Sequence, residues 1–272
     1  MPTAGPAPFT VVRDGVALQG EEAGEGPPVV LLHGLTATRR YVVHGSRMME
    51  RAGHRVVAYD ARGHGESAPA GGPDAYTYDE LVADAVAVLD ERGIDRAVVV
   101  GQSMGSATAV ALTLRHPDRV GALVIVTPAH RGAPSPNLGY WDGLAEGLER
   151  GGPEGFLAAL GPLTIDERYR DAVRTVILQR IGRHRHPGAV AQALRGIPRT
   201  AAFDGLDALG GIATPTLIVG SRDAADPDHP LAVAEEYASR IPGSRLVVED
   251  PGESPLAWRG GALSREVLAL ID

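Results

Sequence analysis

The chain has 272 residues, enough for one large domain with a sizeable core or for a core domain carrying an insertion. Hydrophobic residues make up 44% and charged residues 22%, proportions of an ordinary globular protein that exclude a disordered or collagen-like chain. A net charge of −8 without clustered Lys and Arg argues against nucleic acid as a partner, and zero cysteines exclude disulfides, thiolate catalysis and Cys-based zinc sites.

Met1 to Pro8 carries no basic residue and no apolar run, so neither a secretory signal nor a transit peptide is expected there and a cytoplasmic location is the default. The apolar runs have strand length, far short of the roughly 18 residues of a membrane span, so no membrane association is expected. Phe9 to Leu18 reads as a hairpin turning at Asp14-Gly15. Beyond it, β-branched runs at Val29–Leu32, Arg55–Tyr59, Ala97–Val100, Ala122–Val126, Thr216–Val219 and Arg245–Val248 read as strands. Runs so continuously apolar suit strands covered on both faces, as in a parallel sheet. Between them, apolar residues recur at three- and four-residue spacing over Arg39–Arg51, Tyr78–Arg92, Met104–His116, Pro230–Arg240 and Leu256–Ile271, predicting helices. The pattern is that of an α/β protein with a doubly wound, mostly parallel sheet.

The alternation stops between residues 129 and 210, where helical patterns are interrupted by Gly-Gly-Pro, His-Pro and Ile-Pro and no strand is evident. A segment so long is more than a loop, so it is expected to form a helical cap, or lid, on a core made of residues 1–128 and 211–272.

Gly101-Gln102-Ser103-Met104-Gly105 fits G-x-S-x-G, and its context matters more than the match. A predicted strand runs into it and a predicted helix leaves it, the arrangement of a nucleophile elbow that presents a serine hydroxyl at the carboxyl edge of a sheet. Ser103 is therefore the candidate nucleophile. The Met104 amide at the helix start supplies positive potential for an oxyanion.

With these features the chain resembles the α/β-hydrolase family over nearly its whole length outside the cap. Leu31-Leu32-His33-Gly34-Leu35 is similar to the family's strand-end His-Gly motif, which implies the Leu35 amide as the second oxyanion donor. Asp60-Ala61-Arg62-Gly63-His64-Gly65-Glu66-Ser67 resembles its D-x-R-G-x-G-x-S loop, which makes His33 and His64 scaffold residues. The resemblance implies the chain order Ser, Asp, His, with Asp223 in the acid's place after the strand Thr216–Val219. Asp226 and Asp228 are neighbours that could substitute for it or cap the next helix.

Family members commonly carry the histidine in Gly-His-Ser-Pro after the last strand, whereas this chain reads Gly252-Glu253-Ser254-Pro255 and has no histidine beyond His229. A serine without a base is a poor nucleophile, so three readings stand. Glu253 is the base, beside Asp223 in a carboxylate pair; or His130, beyond the strand Ala122–Val126, substitutes; or the site binds or transforms a ligand without hydrolysis. His44, His54, His116 and His229 are expected on solvated faces, and His184 and His186 at a solvated helix end with no carboxylates to complete a metal site.

The expectation is a hydrolase acting through Ser103 on a small-molecule ester, lactone or thioester, in a pocket whose walls are aliphatic because only 4% of residues are aromatic. No cofactor and no metal is implied. A ligand-binding pseudoenzyme, or a lyase or cyclase using the same pocket, is the alternative.

Overall fold

The computed structural model describes residues 5–163, 165–223, 226, 228–253, 258 and 260–272. Ala7–Arg13 (β1) and Val16–Ala23 (β2) form the expected hairpin, with positive φ at both Asp14 and Gly15, the conformation that matches hairpin twist. Pro28–Leu32 (β3), Arg55–Tyr59 (β4), Ala97–Gln102 (β5), Val120–Val126 (β6), Thr216–Gly220 (β7) and Arg245–Val248 (β8) complete an eight-stranded sheet in the order β1-β2-β4-β3-β5-β6-β7-β8. β1 and β2 pair antiparallel, as do β2 and β4; every other pairing is parallel.

Helices cover both faces of this sheet: Met48–Arg51 (α1), Tyr78–Glu91 (α2), Met104–Arg115 (α3), Leu231–Arg240 (α7) and Gly260–Ile271 (α8), with Leu138–Leu160 (α4), Glu167–Ile181 (α5) and Pro187–Gly196 (α6) between β6 and β7. Alternate strand residues feed different cores, as the two-residue period of a strand requires. Val30, Leu32, Val57, Val99, Leu123 and Ile218 pack with α2, α3 and α7, while Val29, Leu31, Val56, Val100, Val124 and Leu217 pack with α1 and α8. A third, smaller core holds Leu144, Leu148, Phe156, Ile177, Ile181 and Leu194 of α4, α5 and α6.

One predicted helix is absent. Residues 39–51 form a single 3₁₀ turn at Arg39–Tyr41 and the one-turn α1, separated by His44 and Gly45 at positive φ. Two successive left-handed residues cannot continue a right-handed helix. The predicted breakers act as expected inside the insertion: Gly152 takes φ 57° and kinks α4 ahead of Pro153, and Pro187 opens α6.

Register brings the site together. Leu32 pairs with Gly101, Gly101 with Ile125, and Ile125 with Ile218, so the loops leaving β3, β5, β6 and β7 emerge at one carboxyl edge. The strand order reverses between β3 and β5, where a crevice opens in a doubly wound sheet.

Candidate active site

Ser103 stands between β5 and α3 with φ 53° and ψ −115°, a backbone conformation in which an L-residue is strained. Backbone hydrogen bonds hold it there. Its amide donates to Val126 O at 3.0 Å, and its carbonyl accepts from the Ser106 amide at 2.9 Å and the Ser106 hydroxyl at 2.6 Å. The flanking glycines permit the close crossing: a Cβ on Gly101 would overlap the Gly105 carbonyl, and one on Gly105 would overlap the Leu32 carbonyl. Met104 is the first residue of α3, so its amide has no acceptor within the helix and lies beside Ser103. Gly34 faces Ser103 across the crevice, where an added Cβ would lie 3.8 Å from Ser103 Oγ, and Leu35 follows it.

The partner of Ser103 is His229. Its Nε2 lies 2.7 Å from Ser103 Oγ, and its Nδ1 lies 2.8 Å from both carboxylate oxygens of Asp226. A carboxylate only accepts, so Nδ1 carries the proton and Nε2 is left to accept from the serine hydroxyl. Burial pulls His229 towards the neutral form, but the hydrogen bond to Asp226 and the negative charges of Asp226 and Asp228 outweigh it and raise its pKa above the ordinary value. Burial likewise opposes ionisation of Asp226, yet the His229 hydrogen bond and charge, with the charge of Arg180, hold its carboxyl below the ordinary range. Tyr140, on α4, donates to Asp228 at 3.2 Å and brings the insertion over this loop.

The expected constellation of Ser103, Asp223 and Glu253 is therefore not what the loops assemble. Asp223 lies three residues before Asp226 and accepts the Asp226 amide through its backbone carbonyl at 3.1 Å; the carboxylate on the imidazole belongs to Asp226. Glu253 is exposed on the turn after β8, its amide bonded to Asp250 O at 3.2 Å, while the serine hydroxyl is taken by His229. Ser254 and Pro255, which the motif comparison also used, lie outside the described residues. His130, the expected substitute base, is committed elsewhere: its Nε2 accepts from the Ala202 amide at 3.0 Å and its ring packs between Tyr78 and Phe203. Burial lowers its pKa to about 4. His229, expected on a solvated face, carried one local signal, the spacing Asp226-x-x-His229 ahead of Pro230, which places a carboxylate and an imidazole within reach across one turn.

Two further histidines depart from a solvated setting. His54 is buried and bonded to Asp272 at 3.1 Å, and His184 is buried against His64. His33 behaves as scaffold: its Nε2 accepts from the Ala61 amide at 2.9 Å and its Nδ1 donates to Gly34 O at 2.8 Å. Burial holds His33 and His64 below the ordinary imidazole value, and His184 at about 4. Among the described residues no group of His, Asp and Glu is arranged to hold a metal ion, and no helix is long and apolar enough to cross a membrane.

Residues 27–259 match the family described as alpha/beta hydrolase fold. Among solved structures, the chain is similar to the enol-lactonase from Burkholderia xenovorans LB400 at 26% identity, covering 97% of this chain and 99% of that one with a TM-score of 0.79. It is similar to a thermophilic esterase from Thermogutta terrifontis at 27% identity, covering 98% of each chain with a TM-score of 0.79. In sequence it is 42% identical over 100 residues to epoxide hydrolase B of Mycobacterium tuberculosis, a match spanning 37% of this chain and 28% of that relative. The chain thus spans less than half the length of the curated relatives it matches.

Proposed function

Because the chain belongs to the alpha/beta hydrolase fold family, we propose that it is a serine hydrolase that cleaves a small apolar ester, lactone or thioester through Ser103, His229 and Asp226. The observation that carries this reading is the continuous relay from the Ser103 hydroxyl through both nitrogens of His229 to the Asp226 carboxylate, with contacts of 2.7 and 2.8 Å.

Ser103 Oγ attacks the substrate carbonyl carbon as its proton passes to His229 Nε2. Asp226 keeps the imidazole in the required tautomer and stabilises the imidazolium that forms. The carbonyl oxygen gains the negative charge and is taken up by the amides of Met104 and Leu35, the first reinforced by the amino terminus of α3. His229 returns the proton to the leaving oxygen or sulfur, giving an acyl-serine. Water then attacks this ester with His229 again as base, releasing the acid and restoring Ser103. The insertion of residues 129–210 acts as a lid whose residues shape the acyl pocket, and neither cofactor nor metal takes part in these steps.

The test is labelling by a fluorophosphonate probe together with turnover of p-nitrophenyl acetate. Wild-type protein is expected to do both, Ser103→Ala neither, and His229→Gln to lose about 10²- to 10⁴-fold, the usual contribution of a general base. Labelling that survives Ser103→Ala overturns the assignment. A folded wild-type protein inert in both assays favours the ligand-binding reading.

A further inference from the structure

Outside the relay, the insertion touches the crevice through a residue with no assigned role. His184 follows α5 and is buried, with 6% of its surface exposed. Its Nδ1 accepts from the Gly65 amide at 2.9 Å, so the proton resides on Nε2, which donates to Thr36 O at 3.0 Å. Thr36 is the third residue of the turn Gly34-Leu35-Thr36-Ala37, closed by the Ala37 amide on Gly34 O at 3.0 Å. Its φ is 66°, where such a turn takes glycine and a β-branched residue is strained. The turn therefore needs an external hold to keep its shape. It has two: His33 on the Gly34 carbonyl and His184 on the Thr36 carbonyl, one on either side of Leu35.

The peptide unit is planar, so His33 on Gly34 O fixes the plane that carries the Leu35 amide, while His184 on Thr36 O holds the far end of the same turn and with it the dihedrals that join the two. We infer that His184 is a positioning residue that holds the left-handed Thr36 turn, and with it the Leu35 oxyanion donor, so that seating of the helical insertion completes the oxyanion site. The inference rests on the serine hydrolase reading. It assigns the insertion a part in transition-state stabilisation in addition to shaping the pocket.

Two substitutions separate the two bonds of His184. His184→Asn keeps an acceptor near the position of Nδ1 for the Gly65 amide and removes the donor to Thr36. His184→Gln reaches to the position of Nε2 and keeps the donor while giving up the acceptor. The Arg185 amide still bonds Gly65 O at 2.8 Å in either variant, so the insertion keeps a tether to that loop.

With p-nitrophenyl acetate, H184N is expected to lower kcat about 10-fold or more, part of what a lost oxyanion donor costs, with KM within about twofold. The inhibition constant of a short alkyl trifluoromethyl ketone, which forms an oxyanion on Ser103, should rise by the same factor, while that of the product acetate stays unchanged. H184Q should retain kcat within about threefold. Wild-type kcat in folded H184N overturns the inference, as does a rise in KM with kcat unchanged. Should H184N not fold, H184Q still decides, because a folded H184Q with a comparable loss of kcat means that the bond to Gly65 is the one that counts. A wild-type protein inert towards ester and probe overturns the hydrolase reading and this inference with it, whereas an active wild type beside an unaffected H184N overturns this inference alone.

Discussion

The imidazole of His229 carries both the pH dependence and the error of the sequence reading. In the proposed mechanism it acts as a base only when neutral, so activity is expected to be lost as pH falls through its pKa, which its carboxylate neighbours raise above the ordinary imidazole value. The acid limb of kcat/KM is therefore expected above that value. Asp226→Asn should move the limb to lower pH and reduce turnover on the order of 10²- to 10⁴-fold, since the amide removes the raising charge and no longer fixes the tautomer. Asp223→Asn should leave the limb in place; the reverse pattern returns the acid role to Asp223. Glu253→Gln should keep turnover within about twofold, because that side chain is exposed and the serine already has its partner. The elbow that carries Ser103, the proposed nucleophile, was legible because it is local, a strand, a turn and a helix read in one pass. The His229 contact with Ser103 was not, because it spans 126 residues and depends on the path of a loop that no periodicity describes. Ser103 offers a second test at this scale. Ser103→Gly relieves the strained backbone and should abolish turnover while stabilising the fold by about 1 kcal/mol, a rise in Tm of roughly 2–4 °C. Ser103→Ala should abolish turnover without that rise, and thermal unfolding distinguishes them.

Among the elements, strands were legible nearly to the residue because buried parallel strands are apolar throughout and end where polar loops begin; β4 and β8 coincide with their predicted runs. Helices were legible where caps and periodicity agree. Thr77 opens α2 with its hydroxyl accepting from the Glu80 amide at 3.2 Å, in the spacing of a capping box. Thr77→Ala should cost about 1 kcal/mol, measured by chemical denaturation. Where the two signals parted, as over residues 39–51, periodicity alone misled. Apolar residues at helical spacing there serve two separate turns, and Arg39, which opens the first, is held by its buried ion pair with Asp60 and its contact with Glu66 at 2.6 Å.

At the level of the whole molecule, a buried ion network ties the hairpin to the sheet and its covering helix. Asp84 on α2 is fully buried and accepts from Arg62 Nε at 2.8 Å, Arg62 Nη2 at 2.7 Å and Arg13 Nη1 at 2.8 Å. Glu80 also pairs with both arginines, 2.7 Å from Arg13 and 2.8 Å from Arg62, so Asp84→Ala strands their charge only in part and should cost about 1–3 kcal/mol in equilibrium unfolding. A loss below about 1 kcal/mol would mean that the two arginines find other partners or water. The motif Asp60 to Ser67 announced this region in the sequence, but only the fold joins Arg62 to Arg13 and α2.

The acid and the base of the proposed relay lie on one loop between β7 and α7, three residues apart, while the nucleophile sits on a separate turn. The bond between them, at 2.8 Å, couples the two, so a displacement of His229 from Ser103 is expected to carry Asp226 with it and to leave no partly tuned intermediate. Inactivation by loop displacement should then be all or none in each molecule. Titration of active sites with a slowly deacylating ester would show fewer competent molecules as denaturant is added at low concentration, each of the remainder turning over at the undiminished rate.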